Sequence, residues 1–295
     1  MNQNDVLEPL PLTAWRGPFT PGMQSRAVAA LEAGKVIVLP DLPFRLEPDE
    51  MQFLNPSVSG DARKNISLDP RTGKIGNVAC DAADAAHLKA MMERFGQSAL
   101  RFLRDLLPTY AFALEFARTS FRPDEIEGRV YSKRHDDKRL HIDAFPSRPM
   151  RGKRILRLFT NTAHDGARRH WRVGEPFAGF AQQFMPRLQA PVPGTAWIYE
   201  QLGITKGRRS AYDHYMLGLH DGAKLDGGYQ AAAPKADVQF APGATWFCFT
   251  DQVLHAALKG HAALEQTFYL PVEAMADPET SPLRVLERIS GRVLA

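Results

Sequence analysis

The spacing of hydrophobic residues changes once along this chain, near residue 111, and this change most constrains its fold. Residues 82–107 repeat apolar side chains every three or four positions, which predicts a long helix that Pro108 ends. From about residue 111, apolar residues alternate with smaller or polar ones, as they do in half-buried strands. Helices first and many short strands afterwards predict a mainly β fold with helical decoration.

Shorter elements follow the same criteria. Helices are predicted over 23–33, 176–188, 208–221 and 282–290, and a strand over 36–40. Further strand candidates are RVYSK (129–133), RLHIDAF (139–145), RILRLFTN (154–161), VQFAPGATWFCF (238–249) and EQTFYLP (265–271). Strands and helices do not alternate regularly, and no G-x-G-x-x-G or P-loop motif occurs, so a Rossmann or nucleotide-triphosphate fold is disfavoured.

The composition and the cysteine count indicate the cellular compartment in which this protein is expected. The chain is 44% hydrophobic and 24% charged, as expected of a folded protein, and it has no apolar run long enough to span a bilayer. The first residues do not resemble a secretory signal. Two cysteines, Cys80 and Cys248, are too few for a disulfide framework or a four-cysteine zinc site. We therefore expect a cytoplasmic protein.

Positive charge is concentrated in the middle of the chain. Residues 129–172 contain thirteen Lys and Arg against four acids, a net +9, whereas the whole chain carries +4. Such an excess indicates an anionic partner, although arginines on solvated faces are the alternative. Nucleic acid is disfavoured, because the segment lacks the glycine-aromatic pattern of an RNA-binding sheet and a recognition helix.

Two of the nine histidines begin an H-x-D pattern. His135 and Asp137 lie in the charged run KRHDDKR, which is typical of a solvated loop. His141 and Asp143 lie in RLHIDAF, which has strand character. Because residues i and i+2 of a strand point to the same face, His141 and Asp143 would project together as two metal ligands.

A metal site of this kind needs a third ligand. Two histidines and one carboxylate form a facial triad that holds Fe(II) and leaves open positions for chemistry. The best candidate is His255, which follows the aromatic strand and polar turn in ATWFCFTDQVLHAALKG. His261, beside Gly260 in an apparent hairpin tip, is the rival. A core histidine bonded to backbone is the alternative for His255.

An H-x-D motif followed by a distant histidine in a β-rich chain resembles the Fe(II)/2-oxoglutarate-dependent oxygenases, which fold as a double-stranded β-helix (jelly roll). Longer strings resemble the 3-deoxy-D-manno-oct-2-ulosonic acid (Kdo) 3-hydroxylases of Gram-negative lipopolysaccharide biosynthesis. These strings are TSFRPDEIEGR (119–129), RLHIDAFPSRP (139–149), RILRLFTN (154–161), HWRVGEPF (170–177), RRSAYDHYMLGLHD (208–221) and LHAALKGHAALEQTFYLP (254–271). They cover about half of the chain, in order.

The resemblance implies one oxygenase domain over 1–295, with a mostly helical part at 1–110, a jelly-roll core at 111–275 and a C-terminal helix in 276–295. It implies Fe(II) held by His141, Asp143 and His255, with 2-oxoglutarate and O2 as cosubstrates. The reaction would hydroxylate C3 of the Kdo sugar of Kdo-lipid A, giving the 3-hydroxy sugar (Ko), succinate and CO2.

A Kdo-lipid A substrate would bring the enzyme into peripheral contact with the cytoplasmic face of the inner membrane, where basic residues favour an anionic surface. No segment is clearly amphipathic enough to predict a membrane anchor. No nucleic acid partner is expected. Basic residues that would contact the anionic sugar or the lipid A phosphates are Arg122, Arg129, Arg148, Arg168 and Arg169.

The cosubstrate contacts depart from the common family pattern. Many members bind the far carboxylate of 2-oxoglutarate with an arginine shortly after the distal histidine, where this chain has Glu265, Gln266 and Thr267. In the 154–161 strand, Arg157 shares a face with apolar groups and Asn161, and a buried arginine needs a carboxylate partner. Arg157 is therefore predicted to bind 2-oxoglutarate, with an ion pair to a protein acid as its alternative. Additional candidates for the cosubstrate are Arg172, Asn161, Gln266 and Thr267.

Two other functions remain open at this point. The first is a 2-oxoglutarate oxygenase that acts on a protein or an RNA-associated substrate, which the basic segment would suit. The second is a non-catalytic jelly-roll module that binds anionic sugars and whose histidines are structural. The presence of all three predicted metal ligands argues against the second.

Overall fold

Two sheets, almost entirely antiparallel, form the body of the protein in the computed structural model, which describes residues 1–60, 65–128 and 131–295. Its strands are β1 (Leu7–Pro9), β2 (Val36–Leu39), β3 (Ile66–Leu68), β4 (Ile75–Gly76), β5 (Glu115–Arg122), β6 (Arg154–Asn161), β7 (Arg169–Gly174), β8 (Lys235–Phe240), β9 (Thr245–Phe249), β10 (His255–Lys259) and β11 (Ala263–Leu270). The large sheet has the order β1-β2-β9-β6-β11-β5-β3-β4, and the small sheet the order β10-β7-β8. Among the strand pairs of the described residues, only β1 and β2 are parallel.

Helices surround these sheets. They are α1 (Gln3–Val6), α2 (Pro21–Glu32), α3 (Ala82–Leu106), α4 (Phe177–Phe184), α5 (Thr195–Gln201), α6 (Ala211–Leu225), α7 (Gly227–Ala232) and α8 (Pro282–Ser290). Helix α2 begins where the Thr20 hydroxyl accepts from the Met23 amide, and α3 begins where the Asp81 side chain accepts from the Asp84 amide. Among the described residues, no helix combines the length and the apolarity that a bilayer crossing requires.

Helix α3 packs on the outer face of the large sheet. Its apolar stripe is buried, as the sequence predicts: Leu88, Met92, Phe95, Ala99, Phe102 and Leu106. The helix approaches the sheet closely at Gly96, where an added Cβ would lie 2.8 Å from the Gln266 side chain and 2.8 Å from the Phe116 ring. Gln266 itself is fixed in place, since its amide accepts from Thr119 Oγ1 and donates to the Ala117 carbonyl.

A second core fills the space between the two sheets. Trp246 of β9 stacks on Phe240 of β8 with ring centroids 4.0 Å apart, and Trp171 of β7 meets Trp246 edge-on at 5.6 Å. Phe159 of β6 closes the same cluster. This aromatic layer fixes the spacing of the sheets beside the predicted metal ligands, because Trp171 also stacks on the ring of His255 at 5.3 Å.

Most predicted elements are confirmed. The helices at 23–33, 82–107, 176–188, 208–221 and 282–290 correspond to α2, α3, α4, α6 and α8. The strands at 36–40, 154–161 and 265–271 correspond to β2, β6 and β11. The elements that were not predicted are β1, β3, β4, β7, β10, α1, α5 and α7.

Four strand predictions are wrong in detail. Residues 139–145 form only an isolated bridge, between His141 and His255, and the Asp143 amide donates to the Thr250 carbonyl in the turn after β9. Residues 238–249 divide into β8 and β9, which belong to different sheets. Phe112 lies in an exposed turn, and the strand begins at Glu115. Of the 129–133 candidate, Arg129 and Val130 lie outside the described residues, and 131–133 are not in a strand.

We expect Gly96→Ala to lower the free energy of unfolding by about 1–3 kcal/mol, since the methyl group would force the sheet away from α3. Gly22→Ala in α2, where an added Cβ meets nothing within 4 Å, is the control and should be neutral or slightly stabilising. Urea denaturation of both variants measures the difference. Equal stability of Gly96→Ala and the wild type would contradict this packing argument.

Candidate metal centre

Backbone hydrogen bonds bring the two distant histidine segments together. The His141 amide donates to the His255 carbonyl at 3.0 Å, and the His255 amide donates to the His141 carbonyl at 2.8 Å. The Asp143 amide donates to the Thr250 carbonyl at 2.8 Å. The segment with the H-x-D motif is therefore fixed along the start of β10 and the turn before it.

The three side chains converge. His141, Asp143 and His255 each offer a ligand atom, and these atoms all lie within 4.8 Å of one another. All three residues are buried or nearly so. In the described part of the chain, this is the one group of three His, Cys, Asp or Glu side chains with that geometry.

The tautomer of both rings suits metal binding. His141 Nδ1 lies 2.7 Å from the Arg139 carbonyl oxygen, and His255 Nδ1 lies 2.9 Å from the Val253 carbonyl oxygen. A carbonyl oxygen only accepts, so each ring proton is on Nδ1 and each Nε2 keeps its lone pair. Donation of the second ring N–H to a carbonyl is the usual support for a metal-bound histidine.

The electrostatics hold the ligands in their binding-competent charge states. Burial, together with the neighbouring His255, lowers the pKa of His141 well below its ordinary value. Burial also lowers the pKa of His255, although Asp143 opposes this shift. Burial alone would raise the pKa of Asp143, but the nearby Arg157 guanidinium outweighs it and holds that pKa below its usual range. Two neutral imidazoles and one carboxylate result.

This donor set fits a divalent transition metal. Two imidazoles and one carboxylate are the ligands of non-haem Fe(II) sites. Among the described residues, Asp143 Oδ2 is buried without a hydrogen-bond partner, although Arg157 Nη1 lies 3.2 Å away as an ion pair. A buried carboxylate oxygen in that state is suited to coordinate a cation.

The ligands line a small cavity of about 70 Å³ between the sheets. Three arginines and two further carboxylates share its lining: Arg122, Arg157, Arg169, Asp137 and Glu265. Arg122, Arg157 and Glu265 also line a second, wider cavity of about 530 Å³, which we call the vestibule. The vestibule lining also includes Arg148, Thr267 and Lys206.

Arg157 lies against the metal ligands. Its Nη1 is 3.2 Å from Asp143 Oδ2 and 3.3 Å from Glu265 Oε1. Burial opposes its charge, but Asp143 and Glu265 raise the pKa of Arg157 above its ordinary value. The ion pair with a protein acid, the alternative for this residue, is therefore present.

Two other predicted arginines also line this site. Arg122 of β5 pairs with Glu265 at 3.0 Å. Arg169 of β7 is buried and donates from Nη1 to the Gly260 carbonyl at 2.7 Å. It lies on the same face of β7 as Trp171, two residues along the strand.

Several predicted contact residues lie elsewhere. Arg172 points to the opposite face of β7 and pairs with Asp237 at 3.0 Å. Gln266 faces α3, since neighbouring strand residues alternate between faces and Glu265 faces the cavity. The Asn161 amide donates to the carbonyls of Ala167 and Phe240, which holds the loop after β6.

The remaining predictions divide as follows. Arg148 and Thr267 line the vestibule, and Arg148 donates to the Tyr269 hydroxyl at 3.2 Å. Arg168 is exposed and lines neither space. Arg129 lies outside the described residues. His261, the rival third ligand, pairs with Asp165 at 3.3 Å and with Glu125 at 3.5 Å in the β10–β11 hairpin.

Sequence reasoning missed two acids of the cavity. Glu265 was noted only as a departure from the family pattern. Alternation along β11 places it on the same face as Ala263 and Thr267, and this could have predicted that it faces the cavity. Asp137 belongs to the charged run that is typical of a solvated loop, yet it lines the cavity and lies 3.7 Å from Arg122. No local pattern distinguishes Asp137 from the other charged residues of this run.

A buried ion pair supports the site from behind. Arg154 and Asp251 are 0% and 1% exposed, and Arg154 Nε donates to Asp251 Oδ2 at 2.8 Å. Asp251 Oδ1 also accepts from the Ile155 amide, while the Thr250 amide donates to the Ile155 carbonyl. Because Thr250 accepts from the Asp143 amide, this pair positions the turn that holds both halves of the site.

We expect Arg154→Met to cost about 3–5 kcal/mol in the free energy of unfolding, since it leaves Asp251 buried without its cation. The double variant Arg154→Met/Asp251→Asn should recover part of that loss. Arg172→Met, which breaks a half-exposed pair, is the control and should cost at most about 1 kcal/mol. Urea denaturation checks all three, and a loss no greater than that of the control would argue against a supporting role for the pair.

We expect His141→Ala and Asp143→Ala each to weaken Co(II) binding by on the order of a hundredfold or more. Removing a hydrogen-bond partner of a metal ligand typically lowers metal affinity by about 10- to 100-fold, and removing the ligand itself should lower it further. Isothermal titration calorimetry measures this directly. His135→Ala, at an exposed position of the other H-x-D motif, should bind Co(II) as the wild type does. Tight binding in Asp143→Ala would exclude this carboxylate as a ligand.

The fold and the site together define a class: a two-sheet β protein with a non-haem His-Asp-His metal centre. The pattern of the 3-deoxy-D-manno-oct-2-ulosonic acid (Kdo) hydroxylase family matches residues 14–293. The chain belongs to this family, so the family expectation from the sequence is confirmed.

Solved structures agree. The chain resembles the Kdo hydroxylase KdoO, a non-heme Fe(II) alphaketoglutarate dependent dioxygenase, solved with alphaketoglutarate and Fe(III), at 44% identity and a TM-score of 0.95. That match covers 98% of this chain and 97% of the other. KdoO complexes with cobalt(II) and with succinate and Fe(III) match over the same shares at 45% identity, with TM-scores of 0.95 and 0.94. The jelly-roll expectation is thereby confirmed. No protein of curated function matches the chain.

Proposed function

We propose that this protein is an Fe(II)- and 2-oxoglutarate-dependent dioxygenase that hydroxylates C3 of the Kdo sugar of Kdo-lipid A. The observation that carries the proposal is the convergence of His141, Asp143 and His255 at an arginine-lined cavity in a chain of the Kdo hydroxylase family. The Kdo-containing substrate follows from the family, and Kdo-lipid A as the acceptor is the finer proposal.

His141, Asp143 and His255 would hold Fe(II), which supplies activation of O2 for hydroxylation, coupled to conversion of 2-oxoglutarate to succinate and CO2. The carbonyls of Arg139 and Val253 fix the two imidazoles with Nε2 toward the cavity. Trp171, stacked on His255, excludes water from one side of the site.

We propose Arg169 rather than Arg157 as the partner of the far carboxylate of 2-oxoglutarate. Arg157 lies 3.2 Å from the ligand Asp143, so it is too near the metal for a group at the other end of a five-carbon chain. Arg169 lies two residues beyond Trp171 on the same face of β7, a displacement of about 7 Å along the strand. That displacement suits the length of the dicarboxylate, and Arg169 is buried at the cavity wall.

Arg169→Ala should raise the KM for 2-oxoglutarate by about ten- to hundredfold, the effect of losing a charge-assisted hydrogen bond, with Co(II) affinity retained. Arg169→Lys should recover part of the loss. Arg172→Ala is the matched control from the opposite face of β7, and its KM should not change. Steady-state assays of succinate formation measure these values. An unchanged KM in Arg169→Ala would return the role to Arg157.

The vestibule suits an anionic sugar. Five basic side chains and one carboxylate, that of Glu265, line it. The basic residues are Arg118, Arg122, Arg148, Arg157 and Lys206. A Kdo carboxylate and the phosphates of lipid A are matched by such a surface. Since lipid A is a membrane lipid, we place the reaction at the cytoplasmic face of the inner membrane, with peripheral contact.

Expression of this chain in a Gram-negative host that lacks the activity tests the whole proposal. Mass spectrometry of the lipopolysaccharide core should show a gain of one oxygen on a Kdo residue, and the Asp143→Ala variant should show none. Unchanged Kdo with the wild-type chain would contradict the proposal, as would succinate formation that depends only on a protein or RNA substrate.

A further inference from the structure

Exposed apolar side chains cluster in one segment of the protein, residues 190–209, which we call the docking segment. Helix α5 lies within it, and none of the residues of α5 is buried. Six of the twelve large apolar side chains exposed among the described residues belong to the segment: Val192, Trp197, Ile198, Tyr199, Leu202 and Ile204. Single exposed apolar residues are ordinary, but six of them within residues 192–204 are a concentration that marks an interaction surface.

The composition of the docking segment fits a membrane interface. Tryptophan and tyrosine prefer the headgroup level of a bilayer, and aliphatic side chains beside them enter the acyl boundary. Lys206, Arg208 and Arg209 follow directly, and Glu200 is the one acid within 190–209, so the segment carries a net +2. Basic residues beside an apolar patch are complementary to an anionic lipid surface.

The docking segment is joined to the mouth of the vestibule. The Lys206 amide donates to the Ser147 carbonyl at 2.8 Å, and the Arg209 guanidinium donates to the Pro146 carbonyl. Pro146 and Ser147 line the vestibule and follow the metal ligand Asp143 within a few residues. The apolar patch therefore lies beside the entrance through which a sugar would reach the metal centre.

We propose that the docking segment inserts its apolar side chains into a bilayer that contains anionic phospholipid and so presents the vestibule to a sugar anchored in that bilayer. The proposal rests on the proposed function for the identity of the sugar. A second copy of the chain is a less suitable occupant, because a two-fold interface through this segment would place the basic groups Lys206, Arg208 and Arg209 of both copies in one contact.

Vesicle binding tests the docking segment directly. The full chain should co-sediment with vesicles of phosphatidylethanolamine and phosphatidylglycerol, and less with phosphatidylcholine alone or at high salt. The double variant Trp197→Ser/Leu202→Ser should have a vesicle partition coefficient at least about tenfold lower than that of the wild type, since it removes two apolar groups from the interface. Both residues are exposed, at 55% and 68%, so the fold should tolerate the change. Phe112→Ser, at an exposed position outside the segment, is the control and should bind as the wild type does.

Tryptophan fluorescence gives a second readout. Trp171 and Trp246 are buried and Trp15 is half-buried, whereas Trp197 is exposed. A blue shift of the emission on adding the anionic vesicles would therefore report entry of Trp197 into the lipid. Absence of both co-sedimentation and the shift would overturn the proposal. So would a dimer in sedimentation velocity that the double variant converts to monomer, which would make a second copy the occupant.

Hydroxylation assays separate this proposal from the proposed function. The double variant should match the wild type on Kdo-lipid A dispersed in detergent and should lose most of its rate on the same lipid in vesicles. An equal rate in vesicles would overturn the docking proposal alone. Vesicle binding by a wild-type chain that hydroxylates Kdo in neither preparation would overturn the proposed function alone.

Discussion

The reciprocal backbone hydrogen bonds between His141 and His255 are the contact on which the site depends. They join the loop before β6 to the first residue of β10, and so connect the H-x-D motif with the small sheet. Backbone bonds fix the spacing of the two rings whatever occupies the space between them. The Nδ1 bonds to nearby carbonyls then fix the rotation of each ring, so the site is formed before any ligand arrives.

Charge balance explains why so many ions can line a cavity this small. Arg122, Arg157 and Arg169 face the carboxylates of Asp137, Asp143 and Glu265, which gives equal numbers of both signs. Adding a divalent cation and a dicarboxylate dianion together leaves this balance unchanged, whereas either one alone would leave a net charge in a poorly solvated space. The protein thus favours joint occupation by metal and cosubstrate over partial occupation, a preference that comes from its own residues.

The parts of the fold and site that could be predicted are those marked by the spacing of residues within one segment of the sequence. The stripe of α3 and the alternation in β6 were readable, and so were the three metal ligands from motif and resemblance. Residues 139–145 were not, since the strand-like pattern cannot show that the backbone of this segment bonds to His255 and Thr250 rather than along a full neighbouring strand. Arg172 and Gln266 were misplaced because β7 was not recognised and the cavity-facing side of β11 was not assigned; once the paired strands are known, alternation excludes both.

The basic segment shows how composition and structure differ as guides to function. A count over 129–172 indicates an anionic partner, but Arg154 is committed to Asp251, and Arg157 to Asp143 and Glu265. Part of the positive charge that reaches the vestibule mouth comes from outside that segment, from Lys206 beside α5. The apolar residues before Lys206 have no period that predicts exposure, yet no residue of α5 is buried by the described part of the chain. Whether a charge serves the fold, the cavity or the surface is thus decided by what packs against it, and only the tertiary structure contains that information.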